Sequence, residues 1–336
     1  MSGKKSILYI GNKLASLNRT PTAADIMPSL LEHEDFKVYS FSSKKNKFFR
    51  LIDMLFRTFV LASKVDWVII DVYSTQNFWY AYLCGKICTL KKVSYINILH
   101  GGNLESRLKK RYFPFFNNAR FNIAPSKFLF SKFAGEGLQN LKFIPNSIDL
   151  NQYKFKQRKK LRPKLIWVRA FAEIYNPFLA IQLLENLLQD YKDAELFMVG
   201  PKKDNSFDKC RSYVKEHNLP VYFTGKLEKN EWHQLSEKCD IFLNTSTIDN
   251  TPVSIVEAMA LGLPVVSSNV GGIPFLIENQ MDGVLFENGN LQDFTNKITD
   301  LLENRLDAMN ISTEARKKVE KFDWGIVKKL WVNVLS

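Results

Sequence analysis

What most restricts this chain is a rhythm of short apolar runs separated by helix-length segments, repeated along its whole length. Ile7-Leu8-Tyr9-Ile10-Gly11-Asn12 reads as a strand running into a loop, and further runs recur at Lys37–Ser40, Trp67–Val72, Val93–Leu99, Phe121–Ala124 and Lys142–Ile144. After the cationic, weakly patterned stretch Asn151–Pro163 a second series begins: Leu165–Val168, Glu195–Gly200, Val221–Gly225, Asp240–Asn244, Pro264–Ser267 and Gly283–Phe286. Helical patterns fall between them, near Leu179–Tyr191, Phe207–His217 and Pro252–Leu261. Strands alternating with helices imply parallel, doubly wound sheets. Two similar α/β domains in series are expected, 1–155 and 156–318, with Asn151–Pro163 as the linker, a cleft between the domains, and a last helix in 319–336 returning to the first. The carboxyl ends of the strands would line that cleft, where ligands bind in such folds.

Composition narrows the function class. With 336 residues, 46% apolar and 24% charged, the chain has material for two globular domains and is neither disordered, collagen-like nor a coiled coil throughout. No stretch approaches the roughly 18 to 20 apolar residues of a membrane span, and the start carries no secretory signal pattern. Cys84, Cys88, Cys210 and Cys239 suit neither a disulfide framework nor a zinc site, so reduced thiols and a cytoplasmic location are expected. Charge is uneven. Residues 1–160 hold 27 Lys and Arg against 10 Asp and Glu, a balance of +17, whereas 161–336 balance to −4, which together make the net +13. A half so basic suggests a polyanionic partner: nucleic acid, an anionic bilayer or a phosphorylated substrate.

The densest motif is Asn244-Thr245-Ser246-Thr247-Ile248-Asp249-Asn250-Thr251-Pro252-Val253-Ser254-Ile255-Val256-Glu257-Ala258-Met259-Ala260. Thr251 suits an N-cap and Pro252 the first helical position, so Asn250, Thr251, Pro252, Val253 and Ser254 form a helix tip whose free N–H groups would face an anion such as a diphosphate. Glu257 follows about 9 Å along the axis, tilted back toward the tip, where its carboxylate can accept bonds from sugar hydroxyls. The plainer reading makes Asp249 a loop acid and Glu257 a solvated one. Leu261-Gly262-Leu263-Pro264-Val265-Val266, entering a buried strand, and the loop Val270-Gly271-Gly272-Ile273-Pro274 favour the first reading.

Glu257-Ala258-Met259-Ala260-Leu261-Gly262-Leu263-Pro264-Val265-Val266, continued by Gly271-Gly272-Ile273-Pro274, resembles the signature of the GT4-type retaining glycosyltransferases. Ile144-Pro145-Asn146-Ser147-Ile148-Asp149, Phe223-Thr224-Gly225 and Phe322-Asp323-Trp324 extend the likeness. The resemblance implies the GT-B fold: two Rossmann-like domains facing a cleft, the first for the acceptor and the second for the nucleotide sugar. It implies that Glu257 binds the nucleotide ribose and that Asp249, where the family usually has Glu, lies near the donor sugar. It implies that Arg169 neutralises the leaving diphosphate; the Lys that usually accompanies it is absent, and Asn176 stands in that region. Lys226, beside Gly225, is either a further phosphate contact or a surface lysine. His100, at a strand end before Gly101-Gly102-Asn103, is either structural or, as in the family, a contact to the donor sugar. Gly11 and Asn12, with Asn18-Arg19-Thr20-Pro21-Thr22, occupy the loop that in the family lies near the phosphates and acceptor. These residues would carry the charge without a metal, and no Asp-x-Asp metal motif is evident.

The expected activity is transfer of a sugar from a UDP- or GDP-linked donor, the base undecided, to a glycan or lipid-linked acceptor with retention, in envelope or polysaccharide synthesis. No cofactor is implied. Two basic-aromatic stretches remain, one with Lys44, Lys45, Lys47 and Arg50, the other with Lys109, Lys110 and Arg111. They face an acceptor or an anionic membrane, or else the first is a core-packing helix with a solvated basic side. Nucleic acid is disfavoured for want of a recognition motif. The departures at Asp249 and Asn176 leave a second reading, a non-catalytic nucleotide-sugar-binding partner protein. A nicotinamide dehydrogenase lacks its Gly-x-Gly-x-x-Gly after the first strand.

Overall fold

The computed structural model describes residues 4–14, 22–101, 104–304 and 306–336. The chain divides into two compact units, one of Met1–Asn146 with Gly325–Ser336 and one of Ser147–Trp324. Each is built on a six-stranded, wholly parallel sheet.

In the first unit β1 (Ser6–Ile10), β2 (Lys37–Phe41), β3 (Trp67–Tyr73), β4 (Tyr95–His100), β5 (Phe121–Ala124) and β6 (Leu141–Phe143) lie in the order β2-β1-β3-β4-β5-β6. In the second, β7 (Lys164–Val168), β8 (Glu195–Val199), β9 (Val221–Gly225), β10 (Ile241–Asn244), β11 (Val265–Ser268) and β12 (Val284–Phe286) lie in the order β12-β11-β10-β7-β8-β9. The central strands are covered on both faces, so they read as unbroken apolar runs, such as Ile7–Ile10 and Ile241–Leu243, all buried. Helices between the strands supply the cover, and each unit has its own apolar core. The α/β, doubly wound architecture is thus the one read from the sequence.

The division falls at Asn146/Ser147 and at Trp324/Gly325, not at 155 and 318. The cause lies in the segment expected to be a linker. Tyr153, Arg158 and Leu161 are buried. Arg158 donates to the carbonyls of Ser236 and Cys239 at 2.8 Å and of Gly262 at 2.9 Å. The Ser236 carbonyl closes the helix Lys229–Ser236, whose last turn lacks intrahelical donors, and those of Cys239 and Gly262 lie just beyond the ends of that helix and of Val253–Ala260. One guanidinium therefore fastens the segment to the second unit, and burial lowers its pKa with Asp240 opposing. The last helix, Trp324–Leu335, buries Trp331, Val334 and Leu335. Trp67 Nε1 donates to the Leu335 carbonyl at 2.8 Å, and Lys328 pairs with Glu34 at 3.0 Å.

Candidate functional site

Strands β7 and β10 are hydrogen-bonded neighbours although β8 and β9 intervene in sequence. Strand order reverses between them, and in open α/β sheets ligands bind at the carboxyl ends beside such a reversal. Arg169 follows β7 directly, and Asp249 stands in the loop leaving β10. Their side chains form an ion pair. The guanidinium also stacks on Tyr175, 4.7 Å from the ring centroid, and its Nε has no hydrogen-bond partner among the described residues. Burial lowers the Arg169 pKa, with Tyr175 opposing. An arginine starts so high that it stays charged.

Backbone contacts hold this pair in place. The Arg169 N–H donates to Val199 at 3.0 Å, and Gly200 packs so closely that a Cβ there would collide with the Arg169 carbonyl. Asp249 accepts the Asn250 N–H at 2.9 Å, and its carbonyl accepts the Gly272 N–H at 2.8 Å. A Cβ on Gly271 or Gly272 would strike the carbonyls of Asp249 and Asn250. The Gly-Gly pair is needed so that one loop can brace the other.

The helix Val253–Ala260 starts one residue later than expected. Pro252, at φ −62° and ψ 121°, is the N-cap, and Thr251 lies outside the helix. Proline fits because the cap's own N–H has no helical partner to lose. The Ile255 and Val256 N–H groups bond back to the Pro252 carbonyl, whereas those of Val253 and Ser254 have no acceptor within a helix. The Ser254 hydroxyl oxygen is buried and has no partner among the described residues. Donors and a positive dipole end thus meet at the same strand ends as Arg169.

Glu257, in that helix, is buried. Its Oε1 accepts the Tyr153 hydroxyl at 2.7 Å and pairs with the Lys229 ammonium at 3.1 Å. Lys229 lies over the Tyr153 ring and His233 tilts against it at 4.8 Å. Burial and then Glu257 raise the Tyr153 pKa far above the usual tyrosine value. Burial lowers that of His233, with Glu257 opposing. Tyr153, Lys229 and His233 escaped the sequence reading, being ordinary residue types in unremarkable positions.

The other expected donor contacts are more scattered. Asn176, left-handed at φ 42°, opens the helix Pro177–Leu187. Its loop is stitched to the Asp249 loop by Thr247 and Thr245, which donate to the carbonyls of Ile174 and Tyr175. Gly225 ends the edge strand β9, and its carbonyl accepts the Gly200 N–H at 2.8 Å. Lys226 is exposed and paired with Glu228 at 3.0 Å. It lies two strands from Arg169, about 10 Å at ordinary strand spacing.

In the first unit His100 ends β4, and its Nε2 meets Asp71 Oδ1 at 2.9 Å. Tyr9 donates to the same oxygen at 2.9 Å, and Tyr73 stacks on the imidazole at 4.7 Å. Asp71 Oδ2 is buried without a partner among the described residues and lies against Gly11. The tyrosine pKa values rise, Tyr9 and Tyr73 both chiefly through burial and secondly through Asp71. Asp71 was not foreseen; an acid inside an apolar strand was the available signal. Asn12 is buried, with its side-chain oxygen accepting from Arg50 at 3.2 Å. Asn18-Arg19-Thr20-Pro21 and Gly102-Asn103 lie outside the described residues.

Arg50 cannot face an acceptor or a membrane. It is buried, donating to the carbonyls of Lys44 and Lys45 at 2.8 and 3.2 Å as well as to Asn12. Lys44, Lys45, Lys47, Lys109, Lys110 and Arg111 are exposed. Among the described residues no group of three or more His, Cys, Asp or Glu is placed to hold a metal ion, and no helix is long and apolar enough to cross a membrane.

Residues 150–318 match the family model described as glycosyl transferases group 1. The sulfoquinovosyl transferase SQD2 of Arabidopsis thaliana is 31% identical over 150 residues, 43% of this chain and 28% of that protein. The N,N'-diacetylbacillosaminyl-diphospho-undecaprenol alpha-1,3-N-acetylgalactosaminyltransferase of Campylobacter jejuni is 26% identical over 171 residues, 51% of this chain and 42% of that protein. The chain therefore spans less than half the length of these two relatives. Among solved structures, Anabaena Alr3699/HepE in complex with UDP and glucose superposes with a TM-score of 0.74 at 18% identity, covering 98% of this chain and 99% of that one. That likeness is one of fold.

Proposed function

This chain belongs to the glycosyl transferases group 1 family, and from that premise we propose that it moves a sugar from a nucleotide-sugar donor to a glycan or lipid-linked acceptor, with retention at the anomeric carbon. The carrying observation is the meeting of Arg169 and Asp249 at the strand reversal, beside the tip of the helix Val253–Ala260. A diphosphate would take the guanidinium from Asp249, adding the N–H groups of Val253 and Ser254 and the free Ser254 hydroxyl. The released Asp249 carboxylate would then accept from the donor sugar's hydroxyls. Glu257 would bind the ribose through the carboxylate oxygen not held by Tyr153 and Lys229.

In the reaction the acceptor oxygen forms a bond to the anomeric carbon as the bond to the diphosphate oxygen breaks. The acceptor hydroxyl enters on the face the nucleotide leaves, and its proton passes to the departing phosphate. Arg169 and the helix N–H groups offset the charge that develops there, so no metal is required. His100, oriented by Asp71, would contact the donor sugar. UDP is the first nucleotide to test, because the Anabaena neighbour is in complex with it; the Campylobacter relative's name motivates a lipid-linked acceptor in envelope synthesis, met at the inner face of a membrane.

A thermal-shift panel of UDP, GDP and their sugars tests the donor, since specific binding raises the melting temperature. Glu257→Ala should abolish transfer and weaken nucleotide binding by about 10- to 100-fold, as expected for a charged hydrogen bond. Glu257→Gln keeps an acceptor for Tyr153 and controls for folding. A fully active Glu257→Ala protein would refute the role. Asp249 and Asn176, where the family usually has Glu and Lys, also favour a second reading, a non-catalytic partner. That protein would bind a nucleotide sugar yet release no nucleotide from it.

A further inference from the structure

The helix Lys47–Leu61 carries apolar side chains on both its inward and its outward side. Its buried positions are Arg50, Met54 and Thr58. Opposite them, within an arc of about 120° at 100° per residue, stand Phe48, Phe49, Ile52, Phe56, Phe59 and Val60. Each is 37% to 65% exposed. Arg50 can lie on the inward side because its guanidinium satisfies carbonyls that precede the helix and the Asn12 side chain, which no apolar group could do. The outward side is thus an apolar strip about 18 Å long with no charged residue in its arc. A solvated surface rarely carries such a patch without a partner.

Charge selects the partner. Lys44, Lys45 and Lys47 are exposed where the helix begins, Arg57 is exposed on its flank, and Lys64 is exposed just beyond its end. Asp53, the acid of the helix, is already paired with Arg57 at 3.4 Å. In a symmetric pairing of two copies these cations would meet only cations. We propose that this face seats in an anionic lipid bilayer, with the phenylalanines among the acyl chains and the lysines on the headgroups. The inference deepens the lipid-linked acceptor reading, since it would bring the chain to such an acceptor, but it requires neither donor nor turnover. The helix does pack on the core, through Met54 with Leu51, Leu55 and Leu61 against it, but its outward side is apolar rather than the solvated basic side of that alternative.

The test is co-sedimentation of the full chain with vesicles of phosphatidylcholine alone and of phosphatidylcholine with phosphatidylglycerol, with light scattering alongside. Binding is expected on the anionic vesicles and should weaken with salt. Phe49→Ser, Ile52→Ser and Phe56→Ser combined should lower affinity at least 100-fold, given the apolar area left unburied. Removing each lysine of Lys44, Lys45 and Lys47 should cost about fivefold on anionic vesicles. Both variants should melt where the parent does, because the altered side chains are exposed. No vesicle binding by the parent, undiminished binding by the triple serine variant, or a parent dimer that this variant splits would each overturn the proposal. Vesicle binding without any nucleotide response would instead leave it standing and count against the transferase reading.

Discussion

At the scale of residues, the two candidate sites share a device: a group that would touch ligand is held by a buried partner. Asp71 and His100 form one such unit, and the charged bond between them is worth about 1.5–3 kcal/mol. Asp71→Asn should therefore lower kcat/KM about 10- to 100-fold while circular dichroism and melting stay close to the parent's. An unchanged kcat/KM with an unchanged pH profile would make Asp71 a structural residue only. His233 provides a pH signal. Its folded pKa lies below the ordinary 6.5 because burial disfavours the cation. The unfolded chain then takes up the proton first as pH falls, so His233's contribution is complete above about 6.5 and is lost progressively below it. Urea unfolding at mildly acidic and neutral pH should show this loss in the parent, and a reduced loss in His233→Gln. Equal slopes in the two proteins would remove His233 from the account.

Elements were legible where local chemistry decides them. Pro252 and the run after it announce a helix, and its start was missed by one residue because a proline serves as its own extended cap. The helix Lys47–Leu61 is the instructive opposite. Its apolar spacing is plain in the sequence, yet spacing says only that one side differs from the other. Which side turns inward depended on tertiary contacts: Met54, Leu51, Leu55 and Leu61 meet the core, and Arg50 finds the Lys44 and Lys45 carbonyls and Asn12. Gly200 shows the same dependence on contacts distant in sequence. At φ 151° it lies against the Arg169 carbonyl, so Gly200→Ala should destabilise the second unit by about 1–3 kcal/mol. It should also weaken nucleotide binding beyond what a surface change of equal destabilisation does, as calorimetry can show, because the strand end bearing Arg169 must move. Stability lost with affinity intact would mean that Gly200 does not position that arginine.

For the whole molecule, the last helix belongs to the unit that holds β1 through β6. Ending the chain after Asp323 would expose what packs on Trp331, Val334 and Leu335, each worth about 1.5–3 kcal/mol, which together rival a typical domain's entire stability of about 5–15 kcal/mol. Limited proteolysis should then cut the first unit rapidly while the second stays protected and keeps its nucleotide-dependent melting shift. Equal protection of both units would contradict this. The sequence alone determined the α/β alternation, the two parallel sheets and the family, because strand burial, helix periodicity and glycine placement are written locally. Only the tertiary structure decided that Arg169 meets Asp249, that Asp71 backs His100, that Arg158 fastens a supposed linker, and which side of one helix faces water. Those outcomes rest on desolvated charges finding partners distant in the chain, a match that no single stretch of sequence encodes.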